Sequence, residues 1–481
     1  MVQAPKLNFP PEFGVLAADP DVLESYSRDA ISHITPQAVA RPKSVTELSD
    51  LVRFCAEHRI AITPSAGQTS MTAGCLSDTG VVLSTRALDK DYKVGPDPKR
   101  PGHYLAEAGP AIYLAEFQKS LEAQGYFYPP DPTSRTDALL GATIATNASG
   151  EDSFKYGSTR RWVRGLDVIL ADGTLQHFER DPDKVGSGAK NTCGFPFRDE
   201  PIDWFIGSEG TLGIITRIWV EVLKGVPDHF ALLLFFPSEE VALKAVQTFV
   251  GQAYDMRCLE YLDAAALDIL RAKAEGFECL PDAKACLYIK QEYQIDQNDA
   301  LTETWLERIT NFFEGQGLSE WADATQFFDD PESKRLLRRW RHTVPATINE
   351  RAYTFKAQGG GKVGTDWYVP VDQLVSFFQT VRKDQSNMEW VVFGHIGNGH
   401  PHFNFIAKNA DEYRHARELL LKHCQLAVTH GGGVSGEHGL GKLKTHLLAV
   451  QYSDSEIAAM KALKNQLDPH GILSPGNIFP N

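Results

Sequence analysis

Pro64-Ser65-Ala66-Gly67-Gln68-Thr69-Ser70 stands directly behind a β-branched run, Ile60 to Thr63, and the junction of strand and small-residue loop decides how the chain is read. A loop of this kind can point several backbone N–H groups at a pyrophosphate, because small side chains let the backbone approach an anion closely. Two later segments share the property. One runs from Pro130-Asp131-Pro132-Thr133-Ser134 through Gly141-Ala142-Thr143 to Asn147-Ala148-Ser149-Gly150, and the other is Gly207-Ser208-Glu209-Gly210-Thr211-Leu212-Gly213-Ile214-Ile215. Each alone reads as a plain turn; the three together in this order are far more specific.

Around them, from about residue 36 to 224, short runs such as Val81-Val82-Leu83, Val168-Ile169-Leu170 and Ile214 to Val222 alternate with helical patterns. This is α/β or α+β organisation. Ser44-Val45-Thr46-Glu47 predicts a capping box for the first of these helices, with Val45, Leu48, Leu51, Val52 and Cys55 on one face. After Gly225-Val226-Pro227 the pattern changes. Strands are expected at Phe230 to Phe236, Ala285 to Ile289, Trp390 to Phe393 and Phe403 to Ile406, and helices at 238–253, 300–315, 371–383 and 411–429. The expected division is residues 1–224, then a second domain over 225–426 with an antiparallel sheet and helices packed on it, then a segment 427–481 returning to the first domain.

At 481 residues the chain is long enough for two to four domains, and 48 basic against 62 acidic side chains give −14. A composition 42% hydrophobic and 23% charged excludes a disordered or collagenous chain, and the acidic balance argues against a nucleic-acid surface. Seven cysteines form no C-x-x-C pair, which removes zinc knuckles and iron–sulfur ligand sets. The start, Met1 to Pro11, lacks an apolar signal-peptide core, and the longest apolar run has seven residues where a membrane span needs about 20. The expectation is a cytoplasmic, multidomain enzyme without a transmembrane segment. Gly359-x-Gly361-x-x-Gly364 and Gly431-x-Gly433-x-x-Gly436 both fit a dinucleotide fingerprint, but neither has the strand-turn-helix context that it requires.

Residues 393 to 404 read Phe-Gly-His-Ile-Gly-Asn-Gly-His-Pro-His-Phe-Asn, placing His395, His400 and His402 among glycines between two expected strands. Further on stands Ser435-Gly436-Glu437-His438-Gly439. Two imidazoles and a carboxylate are a common set for a divalent metal with open positions.

The three glycine-bearing segments resemble the flavin-binding domain of the vanillyl-alcohol oxidase / p-cresol methylhydroxylase family over residues 36 to 224. The resemblance implies an α+β fold: a two-subdomain FAD-binding domain plus a substrate or cap domain. It places the pyrophosphate on Ser65, Ala66, Gly67, Gln68, Thr69 and Ser70, and the isoalloxazine and pyrophosphate along Pro132, Thr133, Gly141, Ala142, Thr143, Asn147, Ser149 and Gly150. Backbone contacts of Ile215 are expected at the adenine end, and Asn477 of Pro475-Gly476-Asn477-Ile478-Phe479 is a further binding position. The first loop holds no histidine of the kind that tethers flavin covalently, so the FAD is expected to dissociate.

The histidine region resembles FAD-linked 2-hydroxy acid dehydrogenases, whose motif is His-x-Gly-Asp-Gly-Asn-x-His-x-Asn followed by Ser-Gly-Glu-His-Gly. His395, His402, Asn404, Glu437 and His438 match it; Asn398 and His400 depart from it. By that resemblance His395, His402 and Glu437 hold Zn²⁺ or Mn²⁺, and His438 is the general base with His400 as rival. Arg341, with Lys362 second, grips the carboxylate of a small anionic D-2-hydroxy acid, and Asn404 completes the site. The alternatives are an alcohol or phenol oxidase of the same family, or an FAD-binding subunit of a larger glycolate oxidase. With no cysteine cluster, electrons must leave to an external acceptor: oxygen, quinone, cytochrome or protein. A homodimer is in keeping with the relatives.

Overall fold

The computed structural model describes residues 16–195, 200–251, 255–273, 277, 279–294, 297–384 and 388–480. Two compact units emerge. One draws on Met1–Gly150, Gly157–Val226 and Glu437–Asn481, the other on Glu151–Tyr156 and Pro227–Gly436.

The first unit contains two sheets. Strands Ala38–Ala40, Val81–Ser84 and Ile62–Ser65 run parallel, with Leu16–Ala17 antiparallel at one edge. Val81–Ser84 is buried throughout, as an internal parallel strand of Val and Leu should be. Helix Val45–His58 buries Leu48, Leu51, Val52 and Cys55 against this sheet's core. Its start differs slightly from expectation: Ser44 accepts from the Glu47 N–H, but the Glu47 carboxylate reaches back to the Lys43 N–H, one residue beyond the N-cap. The C-terminal segment lies alongside Ile62, whose N–H donates to the Ile472 carbonyl while its own carbonyl accepts from Ser474, both at 2.7 Å.

The second sheet of this unit is antiparallel, in the order Tyr92–Pro96, Tyr104–Ala108, Ile214–Lys224, Val163–Ile169 and Leu175–Glu179, with Tyr126–Phe127 also paired to Ile214–Lys224. Period-two alternation is clearest on Ile214–Lys224, where Ile218, Val220 and Val222 are buried between partly exposed Arg217, Trp219 and Glu221.

The other unit is built on a seven-stranded antiparallel sheet. Its order is Gln326–Phe328, Asp228–Phe236, Ala285–Tyr293, Met256–Asp263, Glu389–His395, His400–Ala407 and Gly361–Gly364. Helices Ala264–Lys273 and Pro331–Tyr353 cover one face through Leu267, Leu270, Leu337, Trp340, Val344 and Ile348. Rings on the opposite face, among them Phe236, Tyr261 and Phe403, meet Phe312 and Phe313 of helix Asn298–Gly315 and Phe378 of helix Leu374–Lys383.

The expected helices appear as Glu239–Gly251, Asn298–Gly315, Leu374–Lys383 and Ala410–Thr429; residues 252 and 253 of the first lie outside the described residues, as do Met1 to Pro11. Val371–Gln373 forms a 3₁₀ turn instead of continuing the third helix. Gly361–Gly364 is itself an edge strand with no helix behind it, which disposes of one dinucleotide-like match. Among the described residues no helix is long and apolar enough to cross a membrane.

Candidate functional site

The loop after strand Ile62–Ser65 is held from outside. Arg86 donates through Nε to the Ala66 carbonyl at 2.7 Å and through Nη2 to Gln68 Oε1, while Gln68 Nε2 donates to the carbonyls of Ser25 and Arg28. Gln68 adopts φ 58°. Gly67 is obligatory, because a Cβ there would stand 2.2 Å from the Asp137 carbonyl oxygen. The consequence is a fixed arc in which no described group accepts from the backbone N–H of Ala66, Gly67, Gln68, Thr69 or Ser70. Five consecutive unspent donors fit a pyrophosphate.

The second segment is engaged mostly with the protein itself. Thr143 Oγ1 donates to the Leu140 carbonyl, and Asn147, at φ 49°, accepts from the Arg160 N–H through Oδ1. Gly141 abuts Pro110, Gly150 abuts the Asp131 carbonyl, Ala142 is half-buried, and the Pro132 carbonyl accepts from Arg135 in the turn that carries Thr133. Ile215 lies at a β-bulge against Val168. Asn477 is a staple: Nδ2 donates to the carbonyls of Gly74 and Glu209, and Oδ1 accepts from Lys442.

Glu209 was not singled out by sequence. Its carboxylate accepts from Leu440 N at 2.8 Å and Gly441 N at 2.7 Å, and burial pushes its pKa up to about 7 despite those two donors. Glu437, three residues earlier, accepts at Oε1 from Ser149 Oγ (2.9 Å) and Lys190 Nζ (2.6 Å); His438 beside it is half-buried.

In the other unit the histidines share one face of a strand pair. His395 is opposite His400, Phe393 opposite His402, and Val391 opposite Asn404. Directly opposed residues project to the same side, and the ring centroids of His395 and His402 are 5.4 Å apart, those of His400 and His402 4.6 Å. Gly394 makes room for this: a Cβ there would meet His402 Cδ2 at 2.8 Å.

Each imidazole has its orientation set by an acceptor. His395 Nδ1 lies 2.5 Å from Glu260 Oε1, and His402 Nδ1 3.3 Å from the Thr365 carbonyl. Since carboxylate and carbonyl can only accept, both Nδ1 atoms carry a proton, and in the neutral ring that a metal requires Nε2 is the ligating atom. This is the donor chemistry of a divalent metal site with its supporting shell. His400 is held differently, through Nε2 to Asp366 Oδ1 at 3.1 Å, while Ser435 Oγ donates to the other oxygen of Asp366.

Glu260 is the second residue that sequence did not single out. Burial would raise its carboxyl, but His395 and Arg341 outweigh that and hold it well below the usual carboxylate range. Arg341 donates to Glu260 Oε2 through Nε at 3.1 Å and Nη2 at 2.7 Å. The arginine expected to grip a substrate thus also supports the carboxylate that orients His395. Lys362 sits on the edge strand and donates to Asn349 Oδ1, two residues from Gly364, which is opposite Asn404. Asn404 is buried with Nδ2 donating to the His402 carbonyl.

The family model for "FAD linked oxidases, C-terminal domain" matches residues 228–478, and that for "FAD binding domain" matches 36–179. The chain belongs to the FAD-linked oxidase family. This FAD-linked oxidase is 28% identical to glycolate oxidase subunit GlcD of Bacillus subtilis, across 94% of the chain and 92% of the relative. It is likewise 28% identical to D-2-hydroxyglutarate dehydrogenase of Stutzerimonas stutzeri, across 97% of each. D-lactate dehydrogenase of Anaerostipes hadrus is 26% identical, across 96% of the chain and 94% of the relative. Among solved structures, an alkyldihydroxyacetonephosphate synthase superposes with a TM-score of 0.67 at 19% identity, covering 97% of this chain and 82% of the other; this likeness concerns the fold.

Proposed function

We propose that this oxidase converts a D-2-hydroxy acid of the lactate, glycolate or 2-hydroxyglutarate type to the 2-oxo acid, with a divalent metal, Zn²⁺ or Mn²⁺, assisting. The observation that carries the reading is the pair of Nδ1-anchored imidazoles, His395 on Glu260 and His402 on Thr365, side by side on one strand face. The names of the relatives supply the substrate class. Glu437 is the third proposed ligand on the strength of the Ser-Gly-Glu-His-Gly motif.

The 66–70 arc would hold FAD without a covalent bond; when bound, FAD would supply a two-electron acceptor for the hydride leaving C2 and a cation would lower the pKa of the substrate hydroxyl. The protein's own part is to take the hydroxyl proton and fix the carboxylate. His438 is proposed for the proton, since His400 is already tied to Asp366. Lys362 is proposed for the carboxylate ahead of Arg341, because Arg341 already donates two N–H groups to the Glu260 carboxylate. Asn404 lines the same face. An external acceptor would then be needed to take the electrons away. Seven free cysteines, five of them buried, fit a reducing compartment and support a cytoplasmic location.

The test is product chemistry. Purified enzyme given D-lactate, glycolate or D-2-hydroxyglutarate with an artificial electron acceptor should form the matching 2-oxo acid; turnover of an aromatic alcohol and of none of these acids would replace this reading with the alcohol-oxidase one.

A further inference from the structure

We propose that Lys190 is a positioning residue for Glu437, setting the rotamer and the charge balance with which that carboxylate would serve a metal; this rests on the metal-assisted reading above. Lys190 is almost wholly buried, at 3% side-chain exposure, and its ammonium lies 2.6 Å from Glu437 Oε1. Ser149 Oγ donates to that same oxygen at 2.9 Å. Lys190 also approaches the Gly150 carbonyl at 3.5 Å, so one ammonium spans the segment 149–150 and the carboxylate.

The backbone around Glu437 is fixed as well. Gly439 N donates to Thr192 Oγ1 at 3.1 Å, two residues along from Lys190, and Glu209 takes the N–H groups of Leu440 and Gly441. Side chain and loop are thus both held by the unit that carries the flavin-binding loop. A carboxylate with two donors on one oxygen has its rotamer set. The ammonium also balances the carboxylate's charge in a place where an unpaired one would be costly.

The experiment uses the FAD-loaded full chain, stripped of metal with a chelator and titrated with Mn²⁺ and Zn²⁺ by calorimetry, with the Mn²⁺ electron paramagnetic resonance spectrum as a second readout. Lys190→Met is expected to weaken Mn²⁺ binding on the order of 10–100-fold and to change the Mn²⁺ spectrum, with flavin content kept; Lys190→Arg should restore most of the affinity. Ser149→Ala, a milder change, should weaken it by a smaller factor and decides the matter where Lys190→Met does not fold. Unchanged or tighter metal binding in the folded variants overturns the role of Lys190 alone. A wild-type protein that binds neither metal overturns the metal reading itself, and the proposal with it.

Discussion

Glu260 shows how much one buried side chain can organise. Its two oxygens serve His395 and Arg341, so Glu260→Gln removes the charge both depend on while keeping the shape. Arg341 would lose one of its acidic partners, Glu151 being another, a loss of up to about 3–5 kcal/mol by the usual cost of breaking a buried pair, and metal affinity should fall roughly 10–100-fold as His395 loses its fixed tautomer. Chemical denaturation and metal titration of the variant check both numbers; wild-type values in each would show that Glu260 is dispensable.

His423 makes a separate prediction at the same scale. It is fully buried beside Phe403 and Phe405, and burial lowers its pKa from 6.5 to about 4. The unfolded chain takes up that proton first as pH falls. Stability is therefore complete above pH 6.5 and is lost between there and pH 4, by about 3 kcal/mol for this one group. His423→Leu should flatten that part of the stability profile, measured as unfolding midpoints at pH 7 and pH 5; identical pH slopes in the two proteins would refute it.

Among the elements, the 66–70 loop carries the sharpest expectation. Gly67→Ala puts a methyl 2.2 Å from the Asp137 carbonyl, so the arc of donors must shift. The variant should purify with most of its flavin lost, judged by the absorbance ratio of flavin to protein, and full flavin content would mean the arc does not hold the pyrophosphate. This element was legible in advance because small residues behind a β-branched run are a local signal. The histidine strands were legible for the same reason, as His395, His402 and Asn404 fall on alternate positions or across a short turn. Strand Met256–Asp263 was not, because Arg257, Glu260 and Asp263 break its apolar pattern. Those residues are buried through partners far away in sequence, such as Arg341, and no local pattern can announce a pairing 81 residues distant. Gly361–Gly364 was hidden too, since a glycine-rich edge strand has no β-branched signature. The contact of Arg341 with Glu260 was hidden as well, because an arginine's sequence context does not reveal an internal carboxylate waiting for it.

At the scale of the whole molecule, a net charge of −14 gives an anionic substrate no long-range attraction. On the proposed reading, capture depends on local cations: a metal and Lys362. Lys362→Ala should raise KM for a 2-hydroxy acid at least tenfold with little change in flavin content, by steady-state kinetics; an unchanged KM would return the carboxylate to Arg341. The central claim, that flavin and metal act together on a 2-hydroxy acid, is tested most directly by anaerobic mixing of the enzyme with D- and L-2-hydroxy acids while following the flavin absorbance. Bleaching by at least one D-acid, abolished when metal is stripped and restored by Mn²⁺ or Zn²⁺, is the predicted result. A flavin that every one of these acids leaves oxidised, or that bleaches equally well without metal, would contradict the account.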